Sequence, residues 1–64
     1  MEKLRVNENK LRYLVAKNSL NIRILCKMCN ITTTTFYLKL KNGFYQYELM
    51  IIADALVCEW EELV

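Results

Sequence analysis

The sequence predicts a small all-α fold of five short helices, and three observations carry that prediction. Proline is absent and glycine occurs once, at Gly43, so almost nothing in the chain breaks a helix. Apolar residues recur at i, i+3 and i+4 along most of the chain instead of alternating. The segments between these stripes are short and rich in Asn, Ser and Thr, which cap helix starts and accept tight turns. With 64 residues there is room for one domain, spanning residues 1–64, and a domain of this size buries only roughly 60% of the surface its unfolded chain exposes. The apolar fraction of 55% is high for so short a chain, so a self-association face is one expectation.

The first helix spans residues 7–17, with Asn7 as its N-cap and Leu11, Leu14 and Val15 on one apolar stripe. Asn18-Ser19 breaks the pattern. Asn21 caps a second helix over residues 22–29, with Leu20 stapled against Ile24, and this helix is expected to bury Ile24, Leu25 and Met28. Asn30-Ile31-Thr32 reads as a turn, because Asn tolerates a left-handed backbone better than most residues. Thr32 then caps a third helix over residues 33–41, with Phe36 and Leu40 pointing inward. Four consecutive threonines have strand propensity, but the run from Thr32 to Leu40 shows no clean alternation, and its flanks are helical.

Gly43 is placed to close the third helix in a left-handed conformation. The fourth helix, residues 46–56, carries the clearest stripe in the chain: Leu49, Ile52, Ala53 and Leu56. Val57-Cys58 is a connector. A last helix over residues 59–64 sets Trp60 and Leu63 on one side and Glu59, Glu61 and Glu62 in its first turn, where the helix dipole favours them.

Charge is segregated. Residues 1–43 hold all nine Lys and Arg against Glu2 and Glu8, a balance of +7, and residues 44–64 hold five acids and no base, a balance of −5. The pattern predicts a polyanion-binding part and an acidic remainder facing away from it. No stretch resembles a signal peptide or a membrane span, so a cytoplasmic protein with reduced thiols is expected. Cys26-x-x-Cys29 suggests zinc or redox chemistry, but the chain has no His and only Cys58 as a third thiol; small packing residues are the expected role, and no metal or cofactor. There is no nucleophile–base pair and no Gly-rich phosphate loop, so an enzyme with a small-molecule substrate is not expected.

Residues 22–41 meet the demands of two helices crossing steeply about a tight turn. The crossing needs a small residue, supplied by Cys26. The turn needs a left-handed residue, supplied by Asn30. Ile31 locks the turn to the core, and Phe36 anchors the second helix. This is a helix-turn-helix pattern. Residues 20–32 resemble the first signature helix and turn of the phage-repressor and Cro-like (XRE) family, which usually carries Leu-Ala where Leu25-Cys26 stands and Gly where Asn30 stands. Residues 35–43 look like that family's recognition helix and its exit, residues 51–56 like its fourth helix, and residues 57–63 like its closing segment. The opening, residues 4–11, is similar to small phage and mobile-element members.

The resemblance implies a five-helix lambda-repressor-like DNA-binding domain with a central helix-turn-helix. It implies a homodimer that binds double-stranded DNA and regulates transcription in a bacterial or phage setting. The recognition helix would bring Thr33, Thr34, Tyr37 and Leu38 to base edges in the major groove. Lys17, Arg23, Lys27, Thr32, Lys39 and Lys41 would face phosphates. Phe44, Tyr47 and Trp60 are candidates for the dimer interface; Trp60 is expected first in the core, and Phe44, Tyr45 and Tyr47 are equally able to close the core or contact sugar-phosphate. Base readout would be modest, because Asn42 is the one amide on the recognition helix and no Arg stands there. The competing expectation is a protein-interaction module, an antirepressor or adaptor, built on the same fold.

Overall fold

Asn7, Asn21 and Thr32 start three helices by one device. Each lies in extended backbone, and its side-chain oxygen accepts from the N–H three residues on: Lys10 at 3.2 Å, Ile24 at 2.9 Å and Thr35 at 3.2 Å. A computed structural model describes residues 2–64 of the chain. It contains α1 (Glu8–Lys17), α2 (Ile22–Met28), α3 (Thr33–Asn42), α4 (Gln46–Ala55) and a closing 3₁₀ turn (Trp60–Leu63). The fold is all-helical.

Three of the helices also end alike. At Ser19, Asn30 and Val57 the backbone turns to positive φ (57°, 56° and 55°). The following N–H groups reach back five residues, Leu20 to the Val15 carbonyl, Ile31 to Cys26 and Cys58 to Ala53, each at 3.0 Å. These are Schellman endings, which satisfy the last carbonyls and turn an apolar residue back onto the helix. Leu20, Ile31 and Cys58 accordingly pack, half-buried, against the core. Asn18 ties two of these ends together, its Nδ2 donating to the Leu14 carbonyl at 2.8 Å and to the Leu56 carbonyl at 3.0 Å.

The core draws on every element: Leu11, Leu14 and Val15 from α1, Leu25 and Cys26 from α2, Phe36 from α3, Leu49, Ile52 and Ala53 from α4 and Leu63 from the 3₁₀ turn, with Phe44 and Leu56 from the connections. Phe36 and Phe44 meet at its centre with ring centroids 5.6 Å apart. The Cα radius of gyration of 10.4 Å is close to the roughly 11 Å expected for a compact chain of this length.

Several expectations need correction. In α2, Ile24 and Met28 are exposed, and the buried side is Leu25 and Cys26 with Ile22 and Cys29 half-buried. The helix carries two overlapping apolar stripes, and the wider one, with i, i+3, i+4, i+7 spacing, faces the core. The last segment is a 3₁₀ turn instead of an α-helix. Its hydrogen bonds span three residues, as from the Glu62 N–H to the Glu59 carbonyl, which eclipses Trp60 with Leu63. Gly43 does have positive φ, but at φ 105°, ψ 160° it lies in extended backbone that essentially only glycine adopts. The reason is its neighbour. Leu4 and Phe44 form an antiparallel bridge, Leu4 N–H to the Phe44 carbonyl at 2.7 Å and Phe44 N–H to the Leu4 carbonyl at 2.8 Å. A Cβ at Gly43 would stand 2.9 Å from the Lys3 Cβ.

Candidate functional site

The exposed side of α3 is the chemically richest surface. At 3.6 residues per turn, Thr33, Tyr37, Lys41, Thr34 and Leu38 share an arc of about 140°. All five are exposed, Tyr37 by 50% and Leu38 by 56%. The inward side is fixed by Phe36, fully buried, with half-buried Leu40 between it and the exposed arc. Phe36 also meets Tyr37 edge-on, centroids 6.1 Å apart, which restrains the outward ring. The start of the helix is equally fixed, because the Thr32 and Thr35 hydroxyls bond to each other at 2.9 Å. The arc thus presents two hydroxyls, a phenol, an apolar side chain and a cation from a rigid helix whose first N–H groups have no intrahelical acceptor. It can hydrogen-bond planar polar edges and attract anions.

Of the cations expected at phosphates, Lys17, Arg23, Lys27 and Lys41 are exposed, on α1, α2, α2 and α3 respectively. Lys39 is not available in the same way. Its Nζ donates to Glu48 Oε2 on α4 at 2.5 Å, the only ion pair among the described residues. Glu48 is well held: its burial raises the carboxyl pKa, but the hydrogen bond from Lys39, the one from the Tyr45 N–H at 2.8 Å and the charges of Lys39 and Lys3 outweigh burial and leave it lowered. Lys17 lies with its ammonium 6.0 Å from the Tyr13 ring.

The three aromatic residues expected at a dimer interface do not form one surface. Phe44 is 1% exposed and belongs to the core, so it offers nothing to a partner. Trp60 is half-buried and lines a groove with Glu2, Leu4 and Gln46. Tyr47 is exposed, stacks on Tyr45 with centroids 6.1 Å apart, and borders a different groove with Cys29, Ile31 and Ile51. With Met50 and Ile51 it leaves an exposed apolar strip along α4 at i, i+3 and i+4.

Burial pushes the thiols of Cys26, Cys29 and Cys58 up, Cys29 further by Cys26 and Cys58 further by Glu62 and Glu59. Protonated thiols are poor nucleophiles and ligands. Among the described residues no group of three His, Cys, Asp or Glu is placed to hold a metal, and no helix is long and apolar enough to cross a membrane.

Arg5 is the residue that the sequence reading missed. It borders a cleft with Glu8, Tyr37, Leu40 and Lys41, beside the exposed arc of α3. The signal was the alternation Leu4-Arg5-Val6, in which both apolar residues pack inward and the cation between them faces out. Comparison with models of known families, with characterised proteins and with solved structures finds no match for the chain.

Proposed function

We propose that the chain binds double-stranded DNA through α2 and α3 acting as a helix-turn-helix, and serves as a small transcriptional regulator. One observation carries the reading: α3 displays Thr33, Thr34, Tyr37, Leu38 and Lys41 on one exposed arc while Phe36 locks its other side to the core. Cys26, 2% exposed, and Asn30, at φ 56°, supply the small crossing residue and the turn that such a unit requires. The resemblance of residues 20–43 to the phage-repressor and Cro-like family points the same way. In this reading α3 lies in the major groove. The threonine hydroxyls and the Tyr37 phenol meet base edges, the Leu38 side chain meets thymine methyls, and Lys41 meets a phosphate. Arg23 and Lys27 on α2 supply further backbone contacts.

The test is a salt titration of binding to random duplex DNA, with a selection from a random-site library. The expected result is affinity that falls steeply with salt and an enriched site, palindromic if two copies bind together. Lys41→Gln should weaken binding to all duplexes and flatten the salt slope by about one unit, whereas Tyr37→Ala should change the selected sequence. Lys39 is a poor choice for such a test, since its loss also strips Glu48 of its partner. No binding at low salt overturns the proposal. The exposed strip of Tyr47, Met50 and Ile51 would then favour the second reading, a module that binds another protein.

A further inference from the structure

The segment before α1 is bound at both ends. The Leu4–Phe44 bridge fixes it to the exit of α3, and the Asn7 N–H donates to the Leu63 carbonyl at 2.7 Å. Leu4 and Val6 are half-buried against the core, so Arg5 is held outward by alternation. The two cations of this segment have different fates. Lys3 sits with its Nζ 5.5 Å from the Tyr45 ring and lowers the pKa of Glu48. Arg5 has no ion-pair partner among the described residues and lines a cleft together with Glu8, Tyr37, Leu40 and Lys41. Glu8 is exposed and pairs with neither cation.

We infer that Arg5 and Lys41 form a two-cation clamp for the DNA backbone, closing on a phosphate that flanks the groove occupied by α3. The inference rests on the DNA reading and adds to it a preformed arm, built by strand pairing with the end of the recognition helix. The planar guanidinium can take two phosphate oxygens at once, and the Lys41 ammonium adds a point charge from the same cleft. Because the arm is already ordered, little conformational freedom is lost on binding.

The test compares Arg5→Gln with Lys10→Gln, which removes the same charge from a lysine outside the cleft, one whose Nζ donates to the Val64 carbonyl. Both are measured on random duplex across a salt series, with circular dichroism to confirm folding. Arg5→Gln should lower the salt slope by about one unit and weaken binding about tenfold, with the selected site unchanged, and Lys10→Gln should do neither. Arg5→Lys should keep the slope and lose part of the affinity. In duplexes carrying single neutral methylphosphonates, one position should weaken the parent markedly more than Arg5→Gln, which keeps only the Lys41 contact there. If the parent binds with a steep salt dependence and Arg5→Gln behaves like Lys10→Gln, the clamp is wrong and the DNA reading stands. If the parent shows no salt-dependent duplex binding, both fall.

Discussion

Gly43→Ala tests whether the turn after α3 and the segment before α1 are one structural unit. At φ 105°, ψ 160° a Cβ carries backbone strain on the order of 1–3 kcal/mol. That Cβ would also stand 2.9 Å from the Lys3 Cβ and 3.3 Å from the Leu4 carbonyl oxygen, one of the two acceptors in the bridge. Pushing the segment away sacrifices two hydrogen bonds of about 1 kcal/mol each. The stiffer unfolded chain returns less than about 1 kcal/mol. The net expectation is a loss of about 2–4 kcal/mol, a lowering of the melting temperature by roughly 10–30 °C in a domain of this size. Thermal unfolding followed by circular dichroism reads it directly. Lys3→Gly removes the nearer clash but not the strain, so the double variant measures the steric share as a departure from additivity. A Gly43→Ala protein that melts within about 3 °C of the parent would show that the segment adapts freely and that the bridge constrains nothing.

Other perturbations have equally definite outcomes. Val57 is a β-branched residue at φ 55° with 84% of its surface exposed, so Val57→Asn should raise stability by about 1 kcal/mol in chemical denaturation, with little packing to lose. Thr32→Ala removes the cap of α3 and should cost about 1 kcal/mol, and in the DNA reading it should weaken binding as the helix start frays. The Glu48 carboxyl pKa is lowered from its ordinary 4.5 in the folded state, so its contribution is fully present above that value and is lost as pH falls through the folded one. The stability difference between parent and Glu48→Gln should therefore be constant near neutrality and shrink in acid. A difference that grew in acid would contradict the Lys39–Glu48 pairing. Cys26, 2% exposed with its thiol pKa raised, should be alkylated only through unfolding, at a rate that follows denaturant.

The sequence makes the helix starts legible because a cap is a local device. Asn7, Asn21 and Thr32 each act on an N–H three residues away, and the bond needs no distant partner. Asn30 was legible for the same reason, since a left-handed residue after a helix needs only its own backbone tolerance. The side that α2 buries was legible only in part: Leu25 and Cys26 are buried as expected, but Ile24 and Met28 are exposed, because only the partner helices choose between overlapping stripes. The exposed arc of α3 followed from placing Phe36 inward. The fates of Lys39, Phe44 and Arg5 depend on contacts with Glu48, Phe36 and the cleft beside Lys41, each between different elements and the last between distant stretches of chain.

The bridge between Leu4 and Phe44 joins residues 40 positions apart, and the Asn7–Leu63 hydrogen bond ties the other end of the same segment to the end of the chain's last turn. Such long-range closure is slow to form, and lifting the segment costs its three backbone hydrogen bonds and the burial of Leu4 and Val6. The arm therefore has its own closed population, set by the bridge and by Leu4 and Val6. Any affinity that depends on Arg5 is scaled by that fraction. Substitutions at Leu4 or Val6, which touch no ligand, would then tune binding through the arm's opening equilibrium while leaving the face of α3 intact.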